Sequence, residues 1–212
     1  VNAILEGDAA LRARYAGLVP EFEKMRELAL ILNAKRQRRG SIDFDLPEPV
    51  IRFDPQGQMI GITQSERNIA YRVIEEFMLV ANETVASFLS AQGVASLYRV
   101  HEPPDPRKVL EFEALAAAFG YSLGISVGRV HKLRLGERRQ PGRQRSIEVP
   151  ERLDISPRHY QQLTEKLAGK PEERILSYLM LRSLKQARYS EQNLGHFALA
   201  IPTGRAYTHF TS

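Results

Sequence analysis

Ile69-Ala70-Tyr71-Arg72-Val73-Ile74-Glu75-Glu76-Phe77-Met78-Leu79-Val80-Ala81-Asn82 opens the longest periodic segment of the chain. From about Glu66 to Ala91, Ile69, Val73, Ile74, Phe77, Met78, Ala81, Val85, Phe88 and Leu89 recur at helical spacing and form a wide apolar face. Thr63 or Ser65 stands where an N-cap is needed. The spacing predicts one long helix that acts as the central packing element.

Other elements are legible on both sides of it. Between Pro20 and Arg39 the apolar residues Phe22, Met25, Leu28, Ile31 and Leu32 repeat helically. That helix ends in a basic run, where the dipole favours cations, and is closed by Gly40. Short alternating runs at Ser41–Phe44, Val50–Phe53 and Met59–Ile62 predict three strands, the last two forming a hairpin that turns at Asp54-Pro55-Gln56-Gly57. Beyond the long helix come a strand at Leu97–Val100 and helices over Arg107–Phe119, Pro157–Ala168 and Pro171–Arg188. The expected fold is a mixed α/β (α+β) unit over residues 1–212, a central sheet packed by several helices, with a long basic loop at 121–150.

Bulk properties narrow the function classes. The net charge of +5 is local: between Tyr121 and Arg145 seven basic residues face the single acid Glu137, and the rest of the chain is about neutral. Within that segment Arg138, Arg139 and Arg143 resemble a nucleic-acid patch in charge, although a solvated loop fits equally well. With no cysteine, neither a disulfide framework nor thiolate chemistry is possible. No run is apolar over the roughly 18 residues that a membrane span needs, and a cytoplasmic protein is expected.

Few local motifs carry chemistry. Tyr71, Glu75, Met78 and Asn82 share one helical stripe, so a carboxylate and an amide stand at the edge of the packed face. Taken alone, Glu75 and Glu76 read as solvated acids, with Arg72 a partner for Glu76. Phe44, between Asp43 and Asp45, is either a core residue or a base-stacking platform. His196 and His209 have no partner at metal-ligand spacing and read as structural histidines. No nucleophile elbow, phosphate loop or dinucleotide fingerprint is present. The terminal runs Gly195–Ala200 and Ala206–Ser212 are apolar and aromatic, unlike a frayed tail, and read as the interior of a domain.

Taken in order, several blocks resemble the catalytic domain (RNB domain) of the ribonuclease II and ribonuclease R family of processive 3'-to-5' exoribonucleases. They are Val1-Asn2 through Gly7-Asp8 with Leu11-Arg12-Ala13-Arg14-Tyr15; Arg39-Gly40-Ser41-Ile42-Asp43-Phe44; Ile74 to Asn82; Leu181 to Ala187; and Gly195-His196-Phe197 with Tyr207-Thr208-His209-Phe210-Thr211-Ser212. Each block is weak alone; the ordered set is specific.

The resemblance implies hydrolysis of single-stranded RNA to nucleoside 5'-monophosphates. Phe44 matches the aromatic that stacks on the 3'-terminal bases, and Glu75 the glutamate that contacts the terminal ribose, where a 2'-hydroxyl separates RNA from DNA. Tyr207, His209 and Thr211 match the approach to the active centre. It also implies Mg2+ held by aspartates expected before Val1, and an arginine-bearing run expected after Ser212. The chain is therefore expected to be a fragment that does not cleave RNA alone, with no metal ligand of its own and no small-molecule cofactor. Two departures stand out, a longer Pro202–Arg205 stretch and a longer, more basic 121–150 segment. The alternative class is a non-catalytic RNA-binding or scaffold protein on the same fold.

Overall fold

A computed structural model describes residues 1–44, 49–65, 67–127, 130–134, 146–150 and 153–211. The chain begins with short helices α1 (Asn2–Leu5) and α2 (Ala9–Arg14) and the long α3 (Val19–Arg39). Gly40 ends α3 at φ 95°, a left-handed conformation that glycine adopts without strain. The hairpin β1 (Pro49–Phe53) and β2 (Met59–Gln64) follows as expected. Asp54 Oδ1 fixes its turn by accepting the N–H groups of Gln56 and Gln58.

Helix α4 (Ile69–Ala91) is the predicted long helix. Its cap is Asn68, not Thr63 or Ser65, which belong to the β2 end and its exit; Asn68 Oδ1 accepts from the N–H groups of Ala70 and Tyr71. Strand β3 (Tyr98–Val100), helix α5 (Pro106–Ala118) and strand β4 (Ser126–Val127) come next. Then follow β5 (Val130–Arg134), β6 (Ser146–Pro150), β7 (Leu153–Asp154), α6 (Pro157–Leu167), α7 (Glu173–Ser183) and β8 (Arg188–Ser190). Among the described residues no helix is long and apolar enough to cross a membrane.

The mixed helix-and-strand class holds, but the strands do not join one sheet. Among the described residues they pair as four two-stranded antiparallel units, β1-β2, β3-β8, β4-β7 and β5-β6. Residues 121–150, expected as one loop, contain β4 and the β5-β6 ladder. Arg138, Arg139 and Arg143 lie outside the described residues, as does Asp45. Ser41–Phe44 is not a strand: the Ile42 N–H donates to the Ala198 carbonyl, and side chains rather than a ladder hold the segment. The last helix stops at Ser183, short of Arg188, because Arg188–Ser190 pairs with β3 instead.

The main apolar cluster lies under α5, α6 and α7. Val109, Phe112 and Ala116 of α5, Tyr160, Leu163 and Leu167 of α6, and Leu176 and Met180 of α7 supply it at helical spacing. Ile42 and Phe197 close it, and Phe44 packs against its edge. Helix α4 contributes nothing to this cluster. It packs on α3 and buries Val73, Glu76, Asn82 and Ala86, while Ile74 and Phe88 are 56% and 61% exposed.

Most of the tail is interior, as its composition predicts, but at its end Phe210 is 63% exposed and Thr211 is exposed. His196 and Ile201 exchange backbone hydrogen bonds, the Phe197 N–H donates to the His101 carbonyl, and the Arg99 N–H donates to the Tyr207 carbonyl. Phe197, Ile201, Ala206 and Tyr207 are buried. Gly195 makes this turn possible at φ 74°, and a Cβ there would stand 2.6 Å from the Ile201 carbonyl oxygen. Gly195→Ala is therefore expected to destabilise the protein by about 2 kcal/mol or more. Urea unfolding checks this, and an unchanged midpoint would show that the turn relaxes around a methyl group.

Candidate nucleic-acid interface

Two arginines on one face of α3 and two glutamates on one face of α4 join the helices. Arg36 donates from Nε and Nη2 to Glu76 Oε1 at 3.0 and 2.8 Å, and Asn33 donates to the same oxygen at 2.8 Å. The Arg36 and Glu76 side chains are 6% and 4% exposed. Further along, Arg39 grips both oxygens of Glu83 at 2.8 and 2.9 Å and donates from Nε to the Leu199 carbonyl, tying the tail to the same seam. Glu76 is thus a buried ion-pair partner of Arg36, not a solvated partner of Arg72. The reason lies forty residues away in the chain, in the arginine at the end of α3.

Arg36 also reaches Ser41 Oγ at 3.3 Å and Asp43 Oδ2 at 3.5 Å. A second arginine, Arg67, binds both Asp43 oxygens at 2.8 and 3.3 Å and both Glu75 oxygens at 2.9 and 2.7 Å. Glu75 stays 37% exposed at the rim of this cluster. Burial opposes the charge of Arg36, but hydrogen bonding and charge from Glu76, with Asp43 and Glu75 behind it, raise its pKa. Arg67 is likewise raised: burial opposes its charge, and Asp43 and Glu75 outweigh it.

One stripe further along α4, Asn82 organises the tail. Its Oδ1 accepts from the N–H groups of Phe210 and Thr211 and from Thr211 Oγ1, while Nδ2 donates to the Tyr207 hydroxyl at 3.3 Å. Aromatic contacts then run from His101 to His196, Tyr207, His209 and Tyr189, with ring centroids 5.2 to 5.9 Å apart. His101 donates from Nε2 to the Lys185 carbonyl at 2.6 Å and accepts the Ala198 N–H at Nδ1, which fits a neutral ring. Burial, with His101 and the charge of Arg99 nearby, pushes His196 down to about 3. Burial also lowers His101 and His209.

Of the residues expected to act together, Glu75 lies in an ionic cluster with Asp43, the chain neighbour of Phe44. Tyr207, His209 and Thr211 form a second group around Asn82. Tyr71, on the same stripe, is exposed and joins neither. Sequence reasoning missed Arg36, Arg67, Arg99 and Tyr189. Arg36 was hidden in a basic run that a helix dipole already explains, and Arg67 carries no local signal.

The carboxylates that gather here do not suit a divalent cation. Asp43, Glu75 and Glu76 each face an arginine, and among the described residues no group of three or more acids or histidines is placed to share a metal ion.

The RNB domain model matches residues 1–212. The chain belongs to the RNB domain family. Ribonuclease R of Aquifex aeolicus is 39% identical over 210 residues, covering 99% of this chain and 26% of that protein. Ribonuclease R 1 of Lactococcus lactis is 40% identical over 213 residues, covering 100% and 22%. The chain thus spans about a quarter of the length of these relatives. The apo form of Mycoplasma genitalium RNase R superposes with a TM-score of 0.72 at 26% identity, covering 92% of this chain and 26% of that one. The same enzyme in complex with ribose methylated single-stranded RNA gives the same TM-score and coverage.

Within this RNB chain the two clusters make separate predictions. Glu76→Ala strands a buried guanidinium and is expected to cost about 3–5 kcal/mol, most of it recovered in the double variant Arg36→Met/Glu76→Leu. Urea unfolding of both variants measures this, and a loss under about 1 kcal/mol would mean that water reaches Arg36. For His196 the folded state resists protonation more than the unfolded chain, whose histidine pKa is about 6.5. Stability is thus full above that value and falls as pH drops toward 3, by about 1.4 kcal/mol per pH unit from this residue. His196→Gln should flatten the unfolding midpoint between pH 6 and 4; an identical pH profile would contradict the assignment.

Proposed function

We propose that this RNB chain is the central part of a processive 3'-to-5' exoribonuclease that hydrolyses single-stranded RNA to nucleoside 5'-monophosphates in the cytoplasm. The observation that carries the proposal is Glu75: a rim carboxylate fixed by Arg67 beside the Asp43-Phe44 dipeptide, in a chain that matches the RNB model throughout. An ionised carboxylate with both oxygens on a guanidinium keeps lone pairs toward solvent, where a ribose hydroxyl can donate to it. Phe44 rests one side on the apolar cluster and is half-buried, leaving ring surface for a terminal base.

Tyr207, His209 and Thr211 extend this surface, with Thr211 exposed, His209 half-buried and Tyr207 buried. Arg138, Arg139 and Arg143 are proposed to hold phosphates along the incoming strand. The Mg2+ on which the hydrolysis depends is assigned to ligands other than the compensated carboxylates of this chain.

The test follows shortening of a 5'-labelled single-stranded RNA by the protein that carries this chain. Glu75→Ala removes a hydrogen bond to a charged acceptor, worth about 1.5–3 kcal/mol, and is expected to slow RNA degradation about 10- to 100-fold. A substrate with a 2'-deoxy terminal ribose should lose much less. Equal rates on RNA before and after the change would sink the ribose role. Binding without any shortening would favour the non-catalytic RNA-binding class.

A further inference from the structure

On the side of the molecule formed by α5 and α7 lies a groove of about 1290 Å³ that shares no residue with the Arg36–Glu76–Arg67 cluster. Its apolar floor includes Phe112, Leu115 and Leu184, and its walls carry the cations Arg99, Lys108, Arg182 and Lys185. The acid in the lining, Glu111, is taken by Arg107 at 3.1 Å on the outer turn of α5. None of the four cations forms an ion pair among the described residues. Arg99 and Arg182 instead lie over the rings of Tyr189 and Tyr178 at 4.8 and 5.9 Å.

Like charges gathered in a groove with low-dielectric walls focus a positive field. The neighbouring His101 is consistent with it: burial lowers its pKa most, the hydrogen bond to the Lys185 carbonyl opposes that, and the charges of Arg99 and Lys185 lower it further. A fold that diverts the local carboxylate and leaves four cations uncompensated has room for an anion. The apolar floor gives such an anion a surface for its uncharged portion, while the tyrosines under Arg99 and Arg182 stand outside the lining and hold the two guanidiniums in place. A phosphate joined to a less polar sugar and base meets both conditions.

We infer that this groove binds nucleotide phosphate, with Lys108, Arg182 and Lys185 meeting the phosphate oxygens and Arg99, stacked on Tyr189, meeting the inner end. The occupant is either the backbone of a single-stranded RNA or a free nucleoside 5'-monophosphate; the choice of RNA over DNA rests on the proposed exoribonuclease function.

The experiment uses the triple variant Lys108→Gln/Arg182→Gln/Lys185→Gln in the protein that carries this chain. These side chains are exposed and accept or donate no hydrogen bond to the described residues, so the fold is expected to persist, as an unchanged unfolding midpoint would verify. Two equilibrium probes are used, a single-stranded oligouridylate and uridine 5'-monophosphate. If the strand runs through the groove, the slope of log K against log salt for the oligonucleotide falls by about 2, since each lost phosphate contact removes roughly 0.7. If the groove holds the free nucleotide, the Kd for uridine 5'-monophosphate rises at least about 10-fold, the loss of one charge-assisted contact. The charge-retaining variant Lys108→Arg/Arg182→Lys/Lys185→Arg should behave as wild type. An unchanged salt slope together with an unchanged nucleotide Kd overturns the inference. Neither probe requires cleavage, so a protein that never shortens RNA yet shows either change refutes the exoribonuclease function and leaves the groove standing.

Discussion

Arg36 meets Glu76 inside the α3–α4 seam, and the position of everything else on α4 follows from that contact. Successive helix residues are rotated by about 100°. With Glu76 pinned inward, Glu75 must point to the rim, where Arg67 and Asp43 complete its surroundings. The same rotation returns after seven residues to Asn82, about 10 Å further along the axis, where it fixes Tyr207, Phe210 and Thr211. One buried pair therefore sets the azimuth of a helix whose exposed carboxylate and buried amide serve two different clusters.

Two kinds of support meet at this helix. Under α5, α6 and α7 the chain is held by an apolar cluster, non-directional and tolerant of small rotations. Along α3 and α4 it is held by arginine–glutamate contacts, which are directional and fail sharply when one partner is lost. Phe44 and Phe197 touch the apolar side, while Asp43, one bond away, and Arg39, through the Leu199 carbonyl, touch the ionic side. The short segment 41–44 and the tail are the joints between the two. This accounts for the absence of a strand ladder at Ser41–Phe44: its polar groups are committed to Arg36, Arg67 and the Ala198 carbonyl.

Local chemistry was legible in the sequence where it is local in the structure. The β1-β2 hairpin, the glycine that ends α3 and the span of α4 depend on neighbours within a few residues, and the apolar composition of the tail marks it as interior although the partners that hold it are about 100 residues away. The order of blocks also disclosed the family. What could not be read was the inside of α4. Periodicity treats every apolar residue as buried, yet Ile74 and Phe88 face out while Glu76 and Asn82 face in. Their partners, Arg36 and the Tyr207–Thr211 turn, are about 40 and 125 residues away. No local pattern encodes such pairs. For the same reason Glu75 looked like an ordinary solvated acid, distinguished from its neighbour only by resemblance.

The polar seam has a consequence for how the rim carboxylate behaves. Replacing a buried ion pair by apolar side chains of similar volume is often neutral or stabilising, so stability alone gives little reason to keep Arg36 and Glu76. Their directionality supplies one. Two leucines would impose no direction at that contact and leave the Arg39–Glu83 pair as the directional hold of α4 on α3, and any roll of α4 would carry Glu75 away from Arg67 and Asn82 away from the tail at once. A guanidinium with two donors on one carboxylate oxygen, a third donor from Asn33 on that same atom, and further bonds to Ser41 and Asp43 permits no such roll. The seam fixes a rotation, and Glu75 inherits it.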